Sequence, residues 1–566
     1  MKKILFTFLV ALCTGLVSFA QINQSNVNQV GNANSATVQQ VGVFNINDIY
    51  QNGDDNIAEV NQSGFLNMSF LDQYGVGNEY YATQSMTNFS KALQVGSYNL
   101  AEVDQVGFNA SYITQFWGSY NKAYVDQFGF FNLSAISQFL SYSETANVFQ
   151  FGFLNSANVM QTGGRYDKAT ISQWGTLNSA DVYQTFTYKN SALVDQHGYG
   201  NYALVNQFSG RYNNAEVSQR GQMNTALVDQ FFGMGNSSVV MQKGKENFAW
   251  TYQVGGFLNK IDVNQKGKGN EAYAAQYGGA FNNSTIMQRG KSNVAVTGQV
   301  GGVFNDADVN QRGRSNLAVI AQIGGAFNDA AISQRGKMNT AEILQAGGVF
   351  NDADVYQRGK KNEASVYQLG GFVNAAVVNQ YGKMNDAYVY QEGGKFNKAT
   401  VSQYGKGNDA TIKQIDNEYT TAYIGQFGDD NDALIYQKNN SGSYAGVLQI
   451  GEENVALIGQ LETSNTFAGI LQIGNGNMAA IGQYEVQNSS AVIYQDGDNN
   501  LALSAQAFGE NNIAETYQVG DYNSSATLQI GSNNTVNVYQ NGYGHSSVVT
   551  QYGNGNTATV SQYNGF

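Results

Sequence analysis

One phrase, Q-x-G-x-x-N-x-A-x-V/I-x-Q, leaves this chain few folds to choose from. It occurs twice between Gln311 and Gln334 (QRGRSNLAVIAQIGGAFNDAAISQ), the second time with one extra residue. From Gln127 the closing glutamines recur at Gln150, Gln173, Gln196 and onward to Gln518 in unbroken steps of 23 residues. A second series through Gln138, Gln161, Gln184 and Gln207 falls midway, so the spacing alternates between 11 and 12. Self-similarity this strict is the mark of a repeat architecture. Residues 21–566 read as one continuous array, with no stretch left over for a separate globular domain.

Within one copy, Asn316, Ala318, Ile320 and Gln322 alternate with Leu317, Val319 and Ala321. In an extended chain the first set points to one face and the second to the other. The intervening R-G-R-S holds a glycine at a fixed offset, which suits a turn with positive φ. Each half-repeat is therefore a strand of about 23 Å followed by a turn. A helix is excluded by the period of two, the Val, Ile and Tyr at strand positions and the frequency of glycine. The expected fold is all-β: a β-solenoid of about 24 two-stranded rungs.

Its inward face carries amides on both sides of a narrow apolar stripe. Burying an unpaired amide costs about 1–3 kcal/mol, so dozens of them demand a systematic partner. Stacking in register provides one, each amide bonding to its equivalents above and below. The expected ladder residues are Gln265, Gln288, Gln311, Gln334 and Gln357 in one series and Gln322 and Gln345 in the other. Asn316 and Asn339 flank them, and Gly313 and Gly336 make the turns.

Met1 to Ala20 reads as a secretory signal peptide: Lys2 and Lys3, an apolar run, then Ser18-Phe19-Ala20. The lone cysteine, Cys13, lies inside it, so the mature chain would have neither disulfides nor a thiolate metal site. The net charge of −13 argues against nucleic acid as a general partner. Proline is absent, as expected where nearly every backbone donor serves a sheet ladder. The repeat phase is present at Asn23 to Gln29 and persists to Gln562, with no atypical capping copy at either end. Open edges of this kind are templates for another chain.

The pattern resembles the curlin repeat of curli subunits, which form bacterial extracellular amyloid fibres. Gln334, Gly336, Asn339, Ala341 and Gln345 hold every fixed position of Q-x-G-x2-N-x-A-x3-Q, and 48 glutamines keep the phase across the chain. The array is far longer than that of the best-known curli subunits. The resemblance implies a secreted structural subunit of curli-like fibres, assembling end to end for adhesion and biofilm matrix. It also implies an outer-membrane secretion pore and a nucleator subunit as partners. The alternative is a β-solenoid surface adhesin or nucleator that does not polymerise.

Residues 23 apart stack in columns. One corner column is cationic at Lys245, Lys268, Lys291, Arg314, Lys337, Lys360, Lys383 and Lys406, then mainly anionic at Asp429, Glu452, Asn475, Asp498 and Asp521. Arg220, Lys243, Lys266, Arg289, Arg312, Arg335 and Arg358 run beside it. Like charges stacked this closely repel. The column is either a device for solubility or a surface for an anionic partner such as a polysaccharide or a neighbouring fibre. Phe281, Phe304, Phe327, Phe350 and Phe396 form a second column at the opposite turn, expected to close that corner. Nothing in the chain points to catalysis or to a cofactor. His197 and His545 are far apart, the serines and aspartates fall at repeat positions without a partnered base, and the calcium-solenoid nonapeptide is not repeated.

Overall fold

The computed structural model describes residues 22–564; the signal-peptide reading of Met1 to Ala20 lies outside them. The described residues contain 46 strands and no helix. Contacts divide the chain into two units, residues 1–209 and 210–566. Each is a β-solenoid of parallel, stacked coils.

In the second unit, strands of nine and seven residues alternate from Asn214–Gln222 to Asp432–Lys438, and most strands beyond have seven. Asp306–Arg314 pairs in parallel with Asn283–Lys291 before it and Asp329–Lys337 after it, residue for residue, so that Gln288, Gln311 and Gln334 align. Leu317–Ile323 pairs in the same way with Val294–Val300 and Thr340–Ala346. Each strand thus bonds to the strand two along and faces its sequence neighbour across the core. The alternation anticipated from the sequence is the burial pattern: Asn316, Ala318, Ile320 and Gln322 are buried, while Leu317 is exposed and Val319 and Ala321 half-buried.

The turns show why glycine recurs. Gly313 has φ of +133°, and a Cβ there would collide with the carbonyl oxygen of Gly336 in the next coil. The longer corner uses the pair Gly324 and Gly325, at φ of +67° and +69°. Less expected are the non-glycine residues at positive φ just before each inward asparagine, such as Ser315, Phe327 and Met338. A left-handed conformation costs an L-residue roughly 1–2 kcal/mol. It persists because each turn is tied to its neighbours: the N–H groups of Phe327 and Met338 donate to Val303 and Arg314 carbonyls at 3.0 Å. The Phe281, Phe304, Phe327 and Phe350 rings stack at this corner, with centroids 4.7–5.0 Å apart.

The first unit differs in turn length. Its early coils advance by 22 or 21 residues: Gln29 aligns with Gln51, Gln51 with Gln73, and Gln73 with Gln94. Longer coils are accommodated at the corners, as at the register shift between Phe108 and Ala110. Two strands, Leu100–Ser119 and Lys122–Phe139, run through a corner unbroken.

Tyr80 takes a position held by Ala58 and Ala101 in adjacent coils and is fully buried. Its bulk is matched by Ala82 where the neighbours have Val60 and Val103. Its hydroxyl lies 3.2 Å from Ser69 Oγ and 2.9 Å from Ser90 Oγ, across the core. Tyr80→Phe should cost about 1–2 kcal/mol, because both serine hydroxyls lose that partner. Amide exchange across Glu79–Met86 checks this; unchanged protection would mean that packing alone holds the ring.

Candidate functional site

The side chains that distinguish this fold are its amides. Gln265 Nε2 donates to Gln288 Oε1 at 2.8 Å, Gln288 to Gln311 at 2.9 Å, Gln311 to Gln334 at 2.9 Å and Gln334 to Gln357 at 2.8 Å. On the facing sheet Gln299, Gln322 and Gln345 continue the pattern at 2.8 Å. The second N–H, which the sequence did not reveal, crosses the core: Gln311 Nε2 donates to the Val294 carbonyl at 2.9 Å and Gln334 Nε2 to that of Leu317 at 2.8 Å. One side chain therefore fixes the stacking register and clamps the two sheets together.

The asparagines form a second ladder of opposite sense. Asn316 donates its backbone N–H and its Nδ2 back to Asn293 Oδ1, at 3.2 and 3.0 Å. Its own Oδ1 accepts the Asn339 N–H at 3.1 Å. Its Nδ2 also reaches forward to the Gly336 carbonyl at 3.3 Å. Glutamine donors point toward the C-terminus of the stack and asparagine acceptors point the same way, so each ladder is polar.

That polarity is exposed where the described strands end. At the N-terminal side, Gln24–Val30 is exposed throughout and pairs with Ile46–Asp54 alone. Gln29 and Gln40 donate forward to Gln51 and Gln62, at 2.6 and 2.8 Å, which leaves their Oε1 atoms facing outward. At the C-terminal side, Gln551 and Gln562 donate to the Thr535 and Ser546 carbonyls at 3.0 Å, with no further glutamine to receive their other N–H. One end offers acceptors, the other donors.

Two carboxylic acids interrupt the asparagine ladder. Glu144 and Asp167 occupy successive asparagine positions and are buried. The Glu144 backbone N–H is held by Asn121 Oδ1 at 3.1 Å. Neither Glu144 carboxyl oxygen accepts a well-formed hydrogen bond. A Cβ on Gly164 would meet oxygens of both acids, so the two converge there. Burial, then the adjacent Asp167 charge, pushes the Glu144 carboxyl up to about 9. Asp167 rises to about 6 through burial, restrained by the Asn190 N–H and the Thr187 hydroxyl it accepts, both at 2.8 Å. This departure from asparagine was visible in the sequence column, but its burial was not.

The cationic columns are in register, Arg289 with Arg312 and Lys291 with Arg314. Lys245 and Lys268 share Glu246 at 3.4 and 3.5 Å, and Lys406 lies 3.8 Å from Asp430. Lys291, Arg314, Lys337, Lys360 and Lys383 form no ion pair among the described residues. Where the column turns acidic, it acquires a structural role. Asp429 Oδ1 accepts the Lys406 N–H at 2.9 Å, Asp498 Oδ1 the Asn475 N–H at 2.8 Å, and Asp521 Oδ1 the Asp498 N–H at 2.9 Å. Short Asp and Asn side chains commonly cap turns in this way, a signal present in the sequence and passed over there as surface charge.

Both histidines sit within the repeat scheme. His197 stacks on Trp174 with centroids 5.8 Å apart, and its Nε2 lies 3.0 Å from Asp195. His545 takes an asparagine position and donates its backbone N–H to Asn523 Oδ1 at 3.1 Å.

The curlin associated repeat matches residues 45–75, 53–85, 189–221, 210–244, 305–326, 351–371, 394–415 and 531–563. No curated protein matches the chain.

Proposed function

The chain is a curlin-repeat protein, and on that basis we propose that it is a structural subunit of curli-like extracellular fibres. It is secreted by way of the segment Met1 to Ala20 and grows by stacking the N-terminal strands of one copy on the C-terminal strands of another. Its work is mechanical: adhesion and matrix formation rather than catalysis. The observation that carries this reading is the complementarity of the end strands. Gln29 and Gln40 present amide oxygens, Gln551 and Gln562 present amide N–H groups, and the edges beside them have open backbone ladders. Joining the two continues the parallel hydrogen bonds and the amide ladders without a change of rule. A dedicated secretion pore and a nucleator fit this reading as partners.

Electron microscopy of the purified chain over time, with and without preformed seeds, tests it. Unbranched fibres should form after a lag that seeds shorten. Ala558→Lys with Val560→Lys, which places charges on the inward side of Thr557–Tyr563, should leave the strand content intact and stop elongation. Rods that keep a fixed length in the presence of seeds would instead make the protein a discrete surface adhesin.

A further inference from the structure

The two cationic columns of the second unit flank a strip of glycine. Gly244, Gly267, Gly290, Gly313, Gly336 and Gly359 lie in register between them. The equivalent glycine strip of the first unit, Gly129, Gly152 and Gly175 between Phe151 and Phe153 and their neighbours, lines an open groove, and the two cationic columns stand as the walls of the same strip along the stacking direction. Each coil adds one cation to either wall every ~4.8 Å. Fifteen of the 29 lysines and arginines in the whole chain belong to these two columns, although the net charge is −13.

Stability and solubility account poorly for such a concentration. Like charges stacked on adjacent strands are destabilising, and acidic residues do more for solubility than basic ones. Through the four coils from Arg289 to Lys360, all eight wall residues are exposed and none forms an ion pair among the described residues. The acids of the same strands lie toward the opposite strand end: Asp306, Asp329 and Asp352 are six residues or about 20 Å from Arg312, Arg335 and Arg358, and Asp308 and Asp354 are four residues or about 13 Å from Arg312 and Arg358, beyond ion-pair reach.

We propose that this groove binds a linear carboxylated polysaccharide laid along the stack. An extended polyuronate carries one carboxylate per sugar at a repeat close to the rise per coil, so each charge meets a pair of cations. A second copy of the chain fits less well. Its acidic stretch supplies a single column, and Asp429, Asp498 and Asp521 already commit one oxygen each to backbone N–H groups. Duplex DNA carries about one charge per 1.7 Å of axis, far denser than one pair of cations per coil, on strands that wind around its own axis. Neither binding nor its test depends on polymerisation.

Co-sedimentation and calorimetry of the purified chain with polygalacturonate provide the test, with a neutral glucan and duplex DNA as comparisons. Polygalacturonate should bind, the glucan should not, and affinity should fall steeply with salt. Changing Arg289, Arg312, Arg335 and Arg358 together to Gln should weaken binding about tenfold or more. The four Arg→Lys replacements should retain it, which separates lost charge from lost fold. Removing four cations elsewhere (Lys260, Lys395, Lys398 and Lys413 to Gln) should leave affinity unchanged. No binding at low salt, an equal loss in that control, or tighter binding of DNA than of polygalacturonate would each overturn the proposal. So would salt-sensitive pairing of the chain with itself that excludes the polysaccharide.

Discussion

Replacing Gln334 with leucine is expected to raise the ease of local opening around that coil by the equivalent of about 4 kcal/mol. Three groups lose their partner at once: the Gln311 N–H that Gln334 Oε1 accepts, Gln357 Oε1, and the Leu317 carbonyl across the core. Each buried orphan costs about 1–3 kcal/mol, and leucine's greater hydrophobicity returns only part of the sum. The damage should stay local, because each coil of a solenoid touches only its neighbours. Amide exchange should therefore accelerate in Asp306–Arg314, Asp329–Lys337 and Asp352–Lys360 and remain unchanged in Tyr444–Ile450. Gln334→Asn, which keeps the chemistry and shortens the reach, should fall between leucine and the native residue. A uniform change across the chain would contradict the nearest-neighbour picture, and a change below about 1 kcal/mol would contradict the ladder.

The outcome at Gln334 follows from features that the sequence displayed unevenly. The strands, the inward set Asn316, Ala318, Ile320 and Gln322, and the glycine turn at Gly313 all follow from a period of two and a fixed repeat. In-register stacking of the glutamines follows from the cost of burying their amides. The link from Gln334 to the Leu317 carbonyl does not follow. It depends on the distance between sheets, which is set by how Ala and Val or Ile fill the core. Positive φ at Phe327 and Met338 was hidden for a similar reason. Propensity disfavours it, and only the hydrogen bonds between coils make it tolerable. Charge was the weakest guide. Asp429 and Asp498 looked like a continuation of a surface column with its sign reversed, whereas their oxygens cap backbone N–H groups of the preceding coil. Lys291 and Arg314 form no ion pair among the described residues, and their charge is what the proposed polysaccharide site draws on.

Glu144→Gln is expected to stabilise the protein near neutral pH and to flatten its dependence on pH. A buried carboxyl favours its neutral form, so folding raises its pKa from the ordinary 4.5 to about 9. Because the folded value lies above the unfolded one, folding takes up a proton between them. Stability is then greatest below about pH 4.5 and falls as pH rises toward about 9. At pH 7 the native protein has lost on the order of 3 kcal/mol relative to acid conditions at this site. Asp167 adds a smaller loss of the same sign, ending near its value of about 6. Glutamine cannot ionise, so the variant should be the more stable at pH 7 and above, and should converge with the native chain near pH 4. Local opening measured by exchange in Thr145–Phe153 and Lys168–Thr176 across that range is the check. Asp329 offers the control: its side chain reaches solvent, and partial desolvation followed by the charges of Asp306 and Asp352 raises it to about 6 in the other unit. Asp329→Asn should flatten the profile there and leave the coils around Glu144 unchanged. If Glu144→Gln keeps the native pH slope in its own coils, the buried acid is not its source.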